Sequence, residues 1–208
     1  MRTNNQNKET TDKEQASSRS KGAPDKEQAN SPKAIVVTGL SKQYPDKTAV
    51  DNISFSVDKG SIFSLLGVNG AGKTTTIKML CGLTHPSGGE AYVLSHNIHT
   101  ELDEVKKLVN ISPQDTSVAS RLTVRENLEF IAGIYGADRK KQREKADEMI
   151  QYFHLQEVAD RRAKVLSGGW QRKLSIAMAL ITEPQIIFLD EPTLGLDVLA
   201  RRELWEVI

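Results

Sequence analysis

The pattern of hydrophobic and polar positions along the chain predicts strands that alternate with helices. Residues 53–57 alternate between apolar and serine side chains, which indicates a strand with one buried face. The run QIIFLD at 185–190 is apolar until its final carboxylate, which predicts a central strand buried on both faces. Further strands are predicted at Ala34–Thr38, Ser61–Leu66, Ala91–Leu94 and Leu108–Ile111.

Apolar residues recur at helical spacing between these strands. The spacing predicts helices at Lys73–Cys81, Val124–Tyr135, Arg139–Phe153, Trp170–Ile181 and Val198–Ile208. Strands that alternate with helices imply an α/β fold with a largely parallel sheet. Because helices crowd the stretch between about residues 120 and 165, we expect a helical insert in the sheet domain.

Residues 1–33 differ in composition from the rest of the chain. They contain only four apolar residues, and most of the others are polar or charged. Such a segment buries too little apolar area to offset the entropy lost on ordering, so we expect it to be disordered. We interpret it as a solvated leader; the alternative is a weak electrostatic tether to an acidic surface.

Charge and composition argue against several classes of protein. The formal net charge of +1 argues against a dedicated nucleic-acid binder. No apolar run approaches the length of about 18 residues that a transmembrane helix needs, and we expect no secretory signal. The single cysteine, Cys81, excludes a disulfide framework and is expected to be a small core residue. These bounds favour a cytosolic protein.

The segment GVNGAGKT at Gly67–Thr74 fits the phosphate-loop pattern G-x-x-x-x-G-K-[ST] at every fixed position. It also lies between a predicted strand and a predicted helix. Glycines let successive backbone N–H groups point at phosphate oxygens, and the following helix adds its N-terminal dipole. We expect Lys73 to place a positive charge near the β- and γ-phosphates and the Thr74 hydroxyl to ligate Mg²⁺.

Two adjacent carboxylates follow the apolar run at 185–190. Asp190 ends the predicted strand, at the edge of the sheet where open α/β folds bind their ligands. Asp190 is therefore the natural partner of Mg²⁺, and Glu191 is the natural base or water-orienting group.

The sequence LSGG at residues 166–169 precedes the helix predicted from Trp170. Ser167 is expected to cap that helix, and two glycines leave its first N–H groups unobstructed. This pattern predicts a second anion-binding helix end. Two such ends in one chain are useful if one serves its own nucleotide and the other serves a neighbour's.

The segments GVNGAGKTT, LSGGWQRK, IIFLDEP and LGLD occur in the order and approximate spacing of the ATP-binding subunits of ABC transporters. The chain resembles that family from Ala34 to Ile208, and ENLEFIAGIYG looks most like the bacterial exporters of drugs, polysaccharides and lipid-linked compounds. The resemblance implies a P-loop NTPase core with a mainly parallel sheet, a small antiparallel β part and a helical subdomain at roughly residues 116–168. It also implies hydrolysis of ATP, with Mg²⁺, to power transport.

The resemblance gives roles to residues that are otherwise unremarkable. Tyr44 matches the aromatic residue that stacks on adenine, and Gln114 matches the glutamine that touches Mg²⁺ and links the site to the membrane partner. The nucleotide-binding residues implied are Tyr44, Gly67, Val68, Asn69, Gly70, Ala71, Gly72, Lys73, Thr74, Thr75, Ser167, Gly168, Gly169 and Asp197. The catalytic residues implied are Lys73, Gln114 and Glu191, and the Mg²⁺ ligands are Thr74, Gln114 and Asp190.

The resemblance also implies partners. In the family two ATP-binding domains pair head to tail, as a homodimer or a heterodimer, so that Ser167 and Gly169 would contact the γ-phosphate at the other subunit's Lys73. Asp197 matches the loop that crosses between the two subunits. The further partner is an integral-membrane permease, which would hold this subunit at the cytoplasmic face of the cell membrane. Direct binding of nucleic acid is not expected.

The chain departs from the family pattern at two points. Trp170 stands where the signature usually has glutamine, and we expect phosphate binding to survive this change. All four histidines precede Asp190, so none can serve as the family's switch histidine, which comes after the position of Glu191. Because the chain also ends inside a helical pattern, we expect the domain at 34–208 to be incomplete at its C-terminus and poorly active alone.

Two other functions stay open at this point. One is a soluble ABC-type ATPase that acts on ribosomes or DNA, although the interval between Lys73 and Ser167 leaves no room for the long coiled coil of the DNA-repair members. The other is a non-catalytic nucleotide-sensing fragment. The missing histidine favours it, whereas the intact Asp190–Glu191 pair opposes it.

Overall fold

The structure, a computed structural model, describes residues 32–207. The leader expected at 1–33 therefore lies outside the described residues, except for its last two positions. The described part forms two β-sheets flanked by helices. The strands are β1 (Lys33–Tyr44), β2 (Lys47–Asp58), β3 (Gly88–Val93), β4 (His96–Asn97), β5 (Val109–Ser112) and β6 (Ile186–Leu189). The helices are α1 (Lys73–Leu80), α2 (Leu102–Leu108), α3 (Val124–Ile134), α4 (Arg139–Tyr152), α5 (Gly168–Leu180) and α6 (Val198–Val207).

The larger sheet is antiparallel and has the strand order β2-β1-β3-β4. Strands β1 and β2 form a hairpin in which Tyr44 pairs with Lys47 beside the turn. Apolar side chains of β1 and β3, such as Val37 and Ala91, are buried in a core that also contains α1 residues such as Met79. This packing fixes the hairpin against the helix that follows the phosphate loop.

The smaller sheet consists of the parallel pair β5 and β6, in register from Val109 with Ile186 to Ser112 with Leu189. Phe188 packs into the core under the antiparallel sheet, whereas Ile187 and Leu189 pack against a second core. Strand β6 is therefore covered on both faces, as its continuous apolar run predicts.

The α/β class is confirmed, but the expected mainly parallel sheet is not what residues 32–207 form, since four of their strands are antiparallel and two are parallel. The strand predicted at Ser61–Leu66 is an irregular segment, with Ile62 84% and Leu66 93% exposed. A strand needs a neighbour for its backbone hydrogen bonds, and within residues 32–207 none pairs with this segment. The strand predicted from apolar composition alone was therefore wrong.

Helices α3, α4 and α5 surround the second core, in which Leu128, Ile150 and Leu174 are buried. A capping box begins α3, because the Thr123 hydroxyl accepts from the Glu126 N–H while the Glu126 carboxylate accepts from the Thr123 N–H. Among residues 32–207, none of the helices combines the length and the hydropathy that a membrane span requires.

Candidate functional site

The turn at Gly67–Thr74 leads directly into α1. Gly72 is the N-cap residue of that helix and has a left-handed backbone with φ of 87°. A Cβ atom at Gly72 would overlap the carbonyl oxygen of Ala49 in β2, so only glycine lets the loop approach the sheet this closely. The unpaired N–H groups at the start of α1 are thereby held at the loop.

The Lys73 ammonium is folded back over its own loop. It donates to the carbonyl oxygens of Gly67 at 2.9 Å and Val68 at 3.2 Å. It also lies 3.6 Å from the Glu191 carboxylate. A cation held by two neutral carbonyls and one loose ion pair is available to a stronger anion such as a phosphate.

Asp190 and Thr74 meet although 116 positions separate them in the chain. The Thr74 hydroxyl donates to a carboxylate oxygen of Asp190 at 3.0 Å. Asp190 is 3% exposed, and its N–H donates to the carbonyl of Ser112 at the end of β5. The parallel pair therefore delivers a carboxylate to the first turn of α1, where hydroxyl and carboxylate oxygens suit Mg²⁺.

The phosphate loop, the segment after β5 and the segment after β6 enclose a cavity of about 350 Å³. Gln114 and Glu191 line it. Within residues 32–207, no group of three or more histidine, cysteine, aspartate or glutamate side chains is placed to hold a metal ion. The predicted site residues that line this cavity are Asn69, Gly70, Gly72, Lys73, Thr74, Thr75, Gln114 and Glu191. Sequence reasoning missed Lys47, Ala49 and Leu194, which also line it.

Lys47 could have been predicted from its place in the sequence, because it comes three residues after Tyr44. Tyr44, the residue expected to stack on adenine, is 41% exposed, and the Lys42 ammonium lies 5.1 Å from the centre of its ring. Tyr44 does not line the cavity, but its partner in the β1–β2 register, Lys47, does. Both residues belong to one exposed turn beside the phosphate loop.

The LSGG residues are not part of this cavity. Ser167 occupies the N-cap position of α5, but its side chain makes no capping hydrogen bond, contrary to the expectation. Ser167 and Gly168 are exposed, and a Cβ atom at Gly168 would meet open space. Asp197 instead caps the next helix, since its carboxylate accepts from the Ala200 N–H at 2.8 Å. The start of α5 is thus a separate, open helix end.

A protein-family model described as ABC transporter matches residues 50–194, which is more than half of the chain. The chain belongs to the ABC transporter family. The resemblance expected from the phosphate loop, the LSGG segment and the Asp190–Glu191 pair is therefore confirmed.

Several ABC proteins of known name are similar to this chain. It is 40% identical over 176 residues to the daunorubicin/doxorubicin resistance ATP-binding protein DrrA of Streptomyces peucetius, covering 85% of this chain and 53% of that protein. It is 38% identical over 172 residues to the Nod factor export ATP-binding protein I of Ralstonia nicotianae, covering 83% of this chain and 54% of the relative. The chain thus spans about half the length of these relatives.

Solved ABC structures share the fold. The structure of cbiO1 from Clostridium perfringens, part of the ABC transporter complex cbiONQ, matches with a TM-score of 0.75 and 25% identity over 85% of this chain and 72% of that one. An ATP-binding subunit of an ABC transporter matches with a TM-score of 0.71 and 29% identity over 84% of this chain and 72% of that one. The α/β arrangement described above is thus that of ABC ATPase subunits.

Proposed function

We propose that this chain binds MgATP in the cavity at the phosphate loop and hydrolyses it to drive an ABC exporter. The observation that carries the proposal is the meeting of two pairs at one place: Thr74 with Asp190, and Lys73 with Glu191. These are the cation, the hydroxyl and the two carboxylates that phosphoryl transfer needs.

ATP binding would begin with an exchange of partners at Lys73. A triphosphate carries more charge than the carbonyl oxygens of Gly67 and Val68, so it draws the ammonium away from them. The same exchange weakens the contact between Lys73 and Glu191 and frees the Glu191 carboxylate for a water molecule. Backbone N–H groups of the loop and of the start of α1 hold the remaining phosphate oxygens.

The oxygen donors beside the loop fit Mg²⁺. The Thr74 hydroxyl and the Asp190 carboxylate already touch, and the Gln114 side chain lines the same cavity. Few protein ligands are needed, because Mg²⁺ keeps several waters and takes other ligands from the phosphates. Bound there, Mg²⁺ would neutralise charge on the transferred phosphoryl group.

Glu191 is the group assigned to the attacking water. It comes directly after Asp190 and lines the cavity, so its carboxylate can orient and polarise a water molecule beside the γ-phosphate. Tyr44, which pairs with the cavity-lining Lys47 in the β1–β2 hairpin, is assigned to the adenine ring.

A second copy or a related ATP-binding domain would complete the site. The Ser167 hydroxyl makes no capping bond and the start of α5 is exposed, so this end is free to take an anion from another molecule. We assign Ser167, Gly168 and Gly169 to the γ-phosphate of the paired domain, and Asp197 to the contact between the domains.

Export requires a membrane partner, and the region of α3 offers a surface for one. Phe130 and Ile134, one helical turn apart on α3, are 55% and 61% exposed, and Tyr135 follows them. Exposed apolar side chains that lie together commonly mark a protein interface. We assign this surface to a permease subunit, which would place the chain at the cytoplasmic face of the membrane.

The decisive variant is Glu191→Gln in the full-length protein. It keeps the size of the side chain but removes the carboxylate, so we expect MgATP affinity to stay within about threefold of wild type. Loss of a general base typically costs 10²–10⁴-fold, so kcat for ATP should fall by roughly that factor. Equilibrium binding of a fluorescent ATP analogue and phosphate release measure the two effects separately.

Glu183→Gln is a matched control. Glu191 has a positive φ, of 47°, and is paired with a lysine; Glu183 likewise has a positive φ, of 54°, and is paired with Lys145 at 2.5 Å, but it does not line the cavity. It should hydrolyse ATP like the wild type. If Glu191→Gln also did so, the assignment would be wrong. Wild-type protein that binds MgATP without hydrolysing it would instead point to nucleotide sensing.

A further inference from the structure

Arg172 is a charged residue in the first half of α5, between Gln171 and Lys173. It is only 3% exposed, and this burial lowers the pKa of its guanidinium, while the charge of Asp190 nearby acts in the opposite direction. Burying a charge is costly unless hydrogen bonds compensate it. The N–H donors of a buried guanidinium are therefore expected to be paired with acceptors.

The guanidinium holds the carbonyl groups on both sides of Glu191. One terminal nitrogen, Nη2, donates to the Asp190 carbonyl at 2.8 Å, and Nε donates to the Pro192 carbonyl at 3.0 Å. Glu191 between them has φ of 47°, in the left-handed region that residues other than glycine rarely adopt. Such a conformation persists only where the surroundings enforce it.

The same side chain also reaches the segment that follows β5. Its other terminal nitrogen, Nη1, donates to the Pro113 carbonyl and, at 3.4 Å, to the Gln114 carbonyl. The planar guanidinium thus joins the backbone beside Gln114 to the backbone beside Glu191. Lysine could not do this, because its single nitrogen cannot occupy the three donor positions of the arginine fork at once.

We propose that Arg172 is a positioning residue that holds Glu191 and Gln114 in their places at the nucleotide cavity. The proposal rests on the function proposed above, because it concerns the same site. Arg172 does not line the cavity and touches no cavity-lining side chain by hydrogen bond; it acts through backbone carbonyls only. ATP binding depends mainly on Lys73 and the backbone N–H groups of the phosphate loop, which Arg172 does not contact, so loss of Arg172 should weaken binding much less than turnover.

The test compares Arg172→Lys and Arg172→Gln with wild type in the full-length protein. Misplacing a catalytic group by about 1 Å can cost 10²-fold, so we expect kcat of Arg172→Gln to fall by about 10²-fold. KM for ATP and the equilibrium affinity for MgATP should change by less than about threefold. Arg172→Lys keeps the charge and some of the bonds, so its kcat should lie between the other two.

Lys173→Gln is the control. Lys173 is the next residue of α5 and is also buried, but its ammonium pairs with Glu203 at 2.7 Å and lies over the Trp170 ring. Its variant removes a buried cation from the same helix without touching either loop of the site. We expect its kcat to stay within about twofold of wild type once the folded fraction is matched.

Hydrogen exchange supplies a readout that does not depend on turnover. In the Arg172 variants, the hydrogen-bonded amides of Asp190, which donates to the Ser112 carbonyl, and Leu194, which donates to the Glu191 carbonyl, should exchange faster, while those within α5 should not. Wild-type kcat in both variants would overturn the proposal. A parallel loss of kcat, MgATP affinity and α5 protection would reduce Arg172 to a folding role and would also overturn it.

If the proposed function is wrong, the results differ from those that would overturn the role of Arg172. The wild-type protein would then bind no MgATP or would not hydrolyse it, and the residue at position 172 would make no difference to this. Exchange at the Asp190 and Leu194 amides would still test the role of Arg172. Unchanged exchange at both amides in Arg172→Gln would refute its positioning role.

Discussion

Two glycines of the phosphate loop allow a matched test of how closely this loop is packed. Gly70 and Gly72 both have φ in the left-handed region, at 86° and 87°. A Cβ atom at Gly70 would meet nothing within 4 Å, whereas one at Gly72 would overlap the Ala49 carbonyl and lie 2.9 Å from the Val50 Cγ2 atom. Alanine at the two positions therefore introduces the same backbone strain but a steric clash at only one.

The expected magnitudes follow from this difference. Left-handed backbone costs an L-residue roughly 1–2 kcal/mol, and alanine recovers about 0.4–1 kcal/mol by restricting the unfolded chain. Gly70→Ala should therefore lower the free energy of unfolding by about 1 kcal/mol. At Gly72 the clash involves the backbone of β2, which is paired with β1 and cannot retreat freely. Overpacking adds about 1–3 kcal/mol, so Gly72→Ala should cost about 2–4 kcal/mol.

Urea unfolding followed by the fluorescence of Trp170 and Trp205 measures the two variants against wild type. Repeating the titration with MgATP adds a second readout. A ligand that binds only the folded state, present at 100 times its Kd, raises the free energy of unfolding by about 2.7 kcal/mol. Gly72→Ala should lose most of this stabilisation, since relieving the clash displaces the N-terminus of α1. Equal loss of stability in the two variants would refute the reasoning, because it would mean that α1 does not begin against β2.

Two further predictions concern stability away from the cavity. Thr123→Ala removes half of the capping box of α3 and should lower the free energy of unfolding by about 1 kcal/mol. Ser117→Ala, in the exposed loop before α3, is the control and should lower it by less than about 0.5 kcal/mol. Equal losses in the two variants would show that the capping box does not stabilise the protein. Burial raises the pKa of the Cys81 thiol from 9.0 to about 12, so the folded state holds this proton more tightly than the unfolded state does. Stability should therefore fall as the pH rises from 9 towards 12, and Cys81→Ala should flatten that fall in urea titrations at a series of pH values; an unchanged slope would contradict the cause.

The accuracy of the sequence-based predictions depended on how local the signal was. The phosphate-loop pattern and the helix after it depend on neighbouring residues, and α1 begins at Lys73 as predicted. The pattern at 185–190 also predicted β6, because a continuous apolar run suits a strand covered on both faces. The equally apolar Ser61–Leu66 is no strand, since a strand depends on a partner elsewhere in the chain.

The chemical groups of the site can be read from the printed sequence: a glycine-rich phosphate loop, a lysine and a threonine after it, and two carboxylates at the end of an apolar strand. The packing of distant segments sets which of these groups meet, since the bond between Thr74 and Asp190 joins residues 116 positions apart. It also decided that Arg172, one more charge in a helix by sequence, lies buried against the carbonyls around Glu191. Local patterns follow from backbone geometry and side-chain type, but contacts between distant segments depend on how the sheets and helices pack.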